Sequence, residues 1–157
     1  MAILNYTTTI SASKSAAEVS GILAKAKARR ISIEYDEQGE PSGLSFVMET
    51  GFGPREFEVP ARIEGVHRAL VADKSVPASK STPEQARKVA WRILKDWTEA
   101  QLALIQAGMT SLDEVMLPYM LDHSSGATFF EAYRDRQLAI EGGPGVSVVG
   151  RGSEETK

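Results

Sequence analysis

The sequence predicts an α+β domain: a β-α-β-β-β antiparallel sheet with a packed helix, followed by a C-terminal helical half. Three observations carry this. Apolar residues recur at every second position in residues 3–10 and between 31 and 59, the period of a strand with one buried face. Between 15 and 28, and between 83 and 106, they recur at three and four positions, which is helical spacing. The period changes over at segments rich in Gly, Pro and Asp, where the backbone turns readily.

Taken in order, Leu4, Tyr6, Thr8 and Ile10 alternate with polar neighbours and predict a strand over 3–10. Ser15 with Glu18 has the spacing of a capping box, in which each side chain satisfies a free backbone N–H. Ala16, Val19, Ile22, Leu23 and Ala26 then predict a helix over 15–28. Ile31, Ile33 and Tyr35 pair across a polar turn at Asp36–Gly39 with Leu44, Phe46 and Met48; a second turn leads to Phe57 and Val59, and Pro60 ends the run. The three later strands share one apolar face, which predicts an antiparallel meander with helix 15–28 against it.

Ile63, Val66 and Leu70 predict a short helix over 62–73. Thr82, Pro83 and Gln85 form the clearest helix start in the chain, because Pro at the first helical position loses no hydrogen bond. The apolar stripe from Ala86 to Ile105 is wide, and Gly108 supplies the stop. Ser111 with Glu114 caps another short helix that Pro118 limits. The segment 128–139, with Phe129, Phe130, Tyr133 and Leu138, reads better as helix than as strand. Residues 1–140 therefore form one domain, sheet-rich over 3–60 and helical over 62–140, while the glycine-dense stretch 141–157 is expected to be a flexible tail.

The composition bounds the chemistry. The chain has 157 residues, 42% hydrophobic and 25% charged, as an ordinary folded domain has. Without cysteine, thiol catalysis, disulfides and Cys-ligated metals are excluded. No apolar run reaches the length of a bilayer span, and residues 1–6 lack the basic start and long apolar run of an export signal, which predicts a cytoplasmic protein without membrane contact. The net charge of −3 gives no general affinity for nucleic acid, yet charge is segregated: Lys14 to Arg30 sums to +4 and Glu34 to Glu40 to −4.

No catalytic, metal or cofactor constellation stands out. His67 and His123 are the only histidines, and neither lies in a pattern typical of metal ligands. Asp122-His123-Ser124 has triad residue types, but triads assemble in space and no nucleophile elbow is present, so an ordinary turn explains it. Gly143-Pro144-Gly145 lacks the Gly-Lys-Ser/Thr ending of a phosphate loop. Glu56 and Glu58 share one strand face and could form an acid–base pair, although a water-exposed sheet face accounts for them equally.

Two basic clusters are more informative. Arg87, Trp91 and Lys95 lie at i, i+4 and i+8, flanked by Lys88 and Arg92, and cations around an indole suit single-stranded nucleic acid. Arg29 and Arg30 could assist. The plainer alternative is a solvated helix face with Glu84–Lys88, Arg92–Asp96 and Lys95–Glu99 pairs and Trp91 at the edge of the core. The acidic hairpin (Glu34, Asp36, Glu37, Glu40, Glu56, Glu58) offers a second surface, suited to a protein partner.

The phrases Tyr35-Asp36-x-x-Gly39, Gly43-Leu44-Ser45-Phe46, Pro60-Ala61 and, above all, Val89-Ala90-Trp91-Arg92-Ile93-Leu94-Lys95-Asp96-Trp97 with Glu99 to Ala103 resemble a group of small proteins encoded by bacteriophages and prophages. The resemblance runs from about residue 3 to 139. That group has no assigned activity, so the resemblance transfers no site; it implies help in genome replication or recombination, or blockade of a host factor.

Three functions follow as expectations. The first is a non-enzymatic accessory in DNA transactions, binding single-stranded nucleic acid or a replication or recombination partner. The second is a protein-binding inhibitor of a host factor or defence system. The third, disfavoured by the scarcity of His and Cys, is an enzyme acting on a small metabolite or nucleotide. The breadth of the long helix's apolar stripe also admits a homo-oligomer.

Overall fold

A computed structural model describes residues 1–142. The fold is α+β. Helix α1 (Ala12–Lys25) is followed by β1 (Arg30–Tyr35), β2 (Pro41–Thr50) and β3 (Gly53–Pro60), then by helices α2 (Ile63–Ala72), α3 (Pro83–Gln106) and α4 (Leu112–Met116), and last by β4 (Leu121–Asp122), β5 (Ala127–Thr128) and α5 (Phe129–Glu141). Strands β1, β2 and β3 form the expected antiparallel meander. The expected tail lies, from residue 143 on, outside the described residues.

The first strand is not formed. Residues 4–7 make a turn with Asn5 in the left-handed region at φ 64°, where Asn is tolerated better than most residues. The segment is held by tertiary bonds instead of a sheet: the Gln85 side-chain amide donates to the carbonyls of Tyr6 and Thr8, both at 2.9 Å. Ile3 and Tyr6 pack against a small core formed by Leu70, Val76 and Ala86. The N-terminal order is therefore α-β-β-β.

Helix α1 also starts earlier than its pattern suggested. Ser11 is the N-cap, accepting from the Lys14 amide at 3.1 Å. Ser15 is fully buried, and Glu18 turns to Arg92 on α3. Two other helix starts match expectation: Thr82 accepts from the Gln85 amide and Ser111 from the Glu114 amide. The last helix begins at a cap that was not anticipated, a complete capping box of Thr128 with Glu131.

The main core lies between the inner sheet face and helices α1, α3 and α4. Leu44, Phe46, Phe57 and Val59 meet Val19, Leu23, Trp91 and Met116 there, all buried. Phe46 and Phe57 are directly opposite across β2 and β3, and their rings stack with centroids 5.2 Å apart. The wide stripe of α3 is covered from within the chain, by α1 on one side and α2 on another, so its breadth requires no second copy. Among the described residues, no helix is long and apolar enough to cross a membrane.

Past α4 the chain passes along the free edge of β3, where Met120 bridges to Phe57. The β4–β5 hairpin, two residues per strand, then reverses the chain and delivers the start of α5 to the sheet.

Candidate binding surface

The two clusters singled out in the sequence meet different fates. The stripe Arg87, Trp91, Lys95 does exist on α3, but it points inward at its centre. Trp91 is fully buried, and its indole N–H donates to the Pro41 carbonyl at 2.8 Å. No ring face is left for a base to stack on. Arg92 is buried as well and pairs with Glu18, in place of the expected Asp96.

The remaining cations are mostly engaged. Arg87 lies 3.8 Å from Asp36. Lys95 is 2.6 Å from Glu99 and 3.7 Å from Asp96; its hydrogen bond to Glu99 raises its pKa above the ordinary lysine value. Arg29 pairs with Glu49 at 3.1 Å and Arg30 with Glu56 at 2.7 Å. Only Lys88 of this set has no ion pair among the described residues, Glu84 included. The nucleic-acid platform is thus taken apart by burial and by pairing, although the exposed arginine pairs at 29 and 30 are the weak kind that rearranges at little cost.

The acidic residues divide into a turn and a face. Asp36 organises the β1–β2 turn, its carboxylate accepting from the amides of Gln38 and Glu40 at 3.0 and 2.9 Å. Glu37 is exposed and Glu40 half-buried beside it. Strand pairing places Arg30, Val47 and Glu56 in one row of the outer face, Ser32, Ser45 and Glu58 in the next, and Glu34, Gly43 and Pro60 in the third. Glycine at 43 has a local reason: a Cβ there would stand 3.2 Å from the Glu34 carboxylate, which lies across it.

The start of α5 completes this acidic corner. The Glu131 carboxylate accepts from the Thr128 amide at 2.8 Å, which holds it at the first turn of the helix. Glu34, Glu58 and Glu131 together line a cavity of about 120 Å³ that Arg62 and Tyr119 share. Burial, followed by the charges of Glu34, Glu131 and Glu56, raises the Glu58 pKa above the ordinary carboxylate value. Charged carboxylates gathered in this way attract a cation. Arg62 itself sits 6.0 Å from the Phe130 ring centroid, over its face, and has no ion pair among the described residues.

Beyond its first turns α5 stands clear of the body. Phe129, Phe130, Tyr133, Leu138 and Ile140 are all exposed, and no residue of the helix is buried. Phe52, at the β2–β3 turn, is 80% exposed.

Histidine chemistry is not assembled. His67 Nε2 is 3.0 Å from the Ser81 carbonyl, while His123 is exposed and 3.9 Å from Glu56. Asp122 accepts from the amide and hydroxyl of Ser124 at 2.9 and 2.7 Å, bonds that lower its pKa and close the hairpin turn. Among the described residues, no group of three or more His, Asp or Glu could hold a metal ion.

Arg62, Tyr119 and Glu131 were not picked out from the sequence. The Thr128-x-x-Glu131 spacing marks Glu131 as a capping residue, but nothing in it indicates Glu58 as a neighbour. That depends on the β4–β5 hairpin, whose two-residue strands carry no periodicity. The chain has no match among protein-family models, curated protein sequences or solved structures.

Proposed function

We propose that this chain is a non-enzymatic protein-binding module that receives a basic segment of a partner on the outer face of its sheet. One observation carries this: Glu34, Glu58 and Glu131 come from three separate elements to one cavity, where burial first, and then the repulsion of the neighbouring carboxylates, holds Glu58 above its usual pKa. An arriving lysine or arginine relieves that repulsion, so part of the cost of assembling the corner returns as binding energy. The exposed aromatic residues at the start of α5 lie beside the charge, supplying apolar contact of the kind that anchors interfaces. Blocking a host factor's nucleic-acid-binding surface is the role this chemistry suits best, in keeping with the resemblance to phage proteins.

Affinity capture from host lysate tests it. The wild-type chain is expected to retain a specific protein, released by salt, that the triple variant E34Q/E58Q/E131Q does not retain. An empty capture, or equal capture by the variant, counts against the proposal. The nucleic-acid alternative keeps Lys88, Arg29 and Arg30 as exposed or half-exposed charges and predicts salt-sensitive binding. A labelled oligonucleotide titrated at low salt separates the two.

A further inference from the structure

A second cavity, of about 260 Å³, adjoins the acidic one and shares Val59, Pro60, Arg62 and Tyr119 with it. Its other walls are apolar: Val66 of α2 with Ala90, Ile93, Leu94 and Trp97 of α3. Trp97 and Tyr119 meet edge to face, centroids 5.5 Å apart, which stiffens one wall. Among the described residues, Arg62 is the only charged group lining this slot. The backbone around it is tied down, Ala61 N–H donating to the Ser42 carbonyl at 3.1 Å and Ile63 N–H to the Ala61 carbonyl at 3.0 Å.

Three chemistries therefore adjoin: an apolar slot, a guanidinium at its border that has no ion pair among the described residues, and three carboxylates just beyond. An apolar cavity of roughly 150 Å³ holds a benzene molecule, so the slot takes an aromatic or branched side chain with room to spare. The acidic cavity, at about 120 Å³, has space for a small polar head group. We propose that the two cavities form one site for a free α-amino acid with an apolar side chain. The side chain enters the slot, the carboxylate meets Arg62, and the ammonium meets Glu34, Glu58 and Glu131.

A carboxylic acid alone would place its charge near three like charges, and an amine alone would face Arg62; the zwitterion satisfies both groups. The site shares its carboxylates with the protein-binding surface but does not rest on it, since a small ligand is titrated without any partner.

The experiment is a calorimetric titration of the whole chain, with tryptophan fluorescence as a second readout because Trp97 lines the slot. Three probes share one ring: L-phenylalanine, 3-phenylpropionate, which lacks the ammonium, and L-phenylalanine amide, which lacks the carboxylate. Phenylalanine should bind, with each analogue about tenfold weaker or more, since each loses a charge-assisted hydrogen bond. Arg62→Gln should weaken phenylalanine and spare the amide, whereas Glu58→Gln should weaken phenylalanine and spare 3-phenylpropionate. Val66→Trp, which fills the slot, should abolish binding. The proposal is overturned if phenylalanine does not saturate the protein by about 10 mM, or if either analogue binds as well as phenylalanine. The analogue series needs no variant, so a variant that fails to fold does not blunt the test.

Discussion

Trp91 and Pro41, fifty positions apart in sequence, are joined by a hydrogen bond of 2.8 Å from the indole N–H to the proline carbonyl. The bond ties the middle of α3 to the first residue of β2 inside the core. Trp91→Phe removes the donor, leaves the carbonyl without its partner and opens a void, so it should cost about 2–4 kcal/mol of stability. Urea denaturation measures this. Oligonucleotide binding, where any exists, should be unchanged once the variant is shown to be folded.

The same residue shows why the fold was more legible than the site. The meander, the α3 start at Thr82 and Pro83, and the helix over 129–141 are written in local spacing, and local spacing set them. Trp91 was ambiguous because it sits at the margin of a wide stripe, where a step of one residue, about 100° around the helix, separates core from surface. The expected strand over 3–10 failed for a related reason: Tyr6 does face a core, but the Gln85 side chain satisfies the backbone there. A sheet ladder was not needed. The acidic corner and the slot depend on contacts between elements far apart in sequence, which periodicity does not encode.

Arg92 and Glu18 form the most buried ion pair described, with side chains 9% and 36% exposed respectively. Removing the acid strands a buried guanidinium, whereas removing the base leaves a carboxylate that water can reach. Glu18→Ala should therefore cost more than Arg92→Met, about 2 kcal/mol against 1 or less. The double variant should be more stable than Glu18→Ala alone. Thermal or urea unfolding of the four-member cycle reads the difference, and equal losses from the two single changes would contradict this account.

Helices α1 and α3 end in the same way with different residues. At the end of α3 the Met109 amide bonds to the Leu104 carbonyl and Gly108 to Ile105, with Gly108 at φ 73°. At the end of α1, Ala28 bonds to Leu23 and Lys27 to Ala24, with Lys27 at φ 67°. This left-handed position costs a residue with a Cβ about 1 kcal/mol that glycine avoids. Lys27→Gly should stabilise the chain by about 0.5–1 kcal/mol, part of the gain being offset by the freer unfolded chain, and Gly108→Lys should destabilise it by a similar amount. Chemical denaturation of both variants gives the comparison.

Glu58 provides a pH signature for the acidic corner. Its pKa in the folded chain lies above the ordinary value of 4.5, through burial and the charges of Glu34, Glu131 and Glu56, so the folded state holds the proton more tightly than the unfolded state does. Below pH 4.5 the group is protonated in both states and imposes no penalty. As pH rises, the unfolded chain ionises first, and the folded state loses stability until its own pKa is passed; above that the loss is complete. Glu58→Gln removes the charge but keeps the shape. The variant should therefore melt higher than wild type at pH 7, by a margin that shrinks with added salt and closes as the pH falls below 4.5. Melting curves across pH 3.5–8 show whether the two converge at the acid end. A gain of the same size at every pH would mean that the carboxylate's shape or hydrogen bonding, rather than its charge among Glu34, Glu56 and Glu131, sets the energetics of the corner.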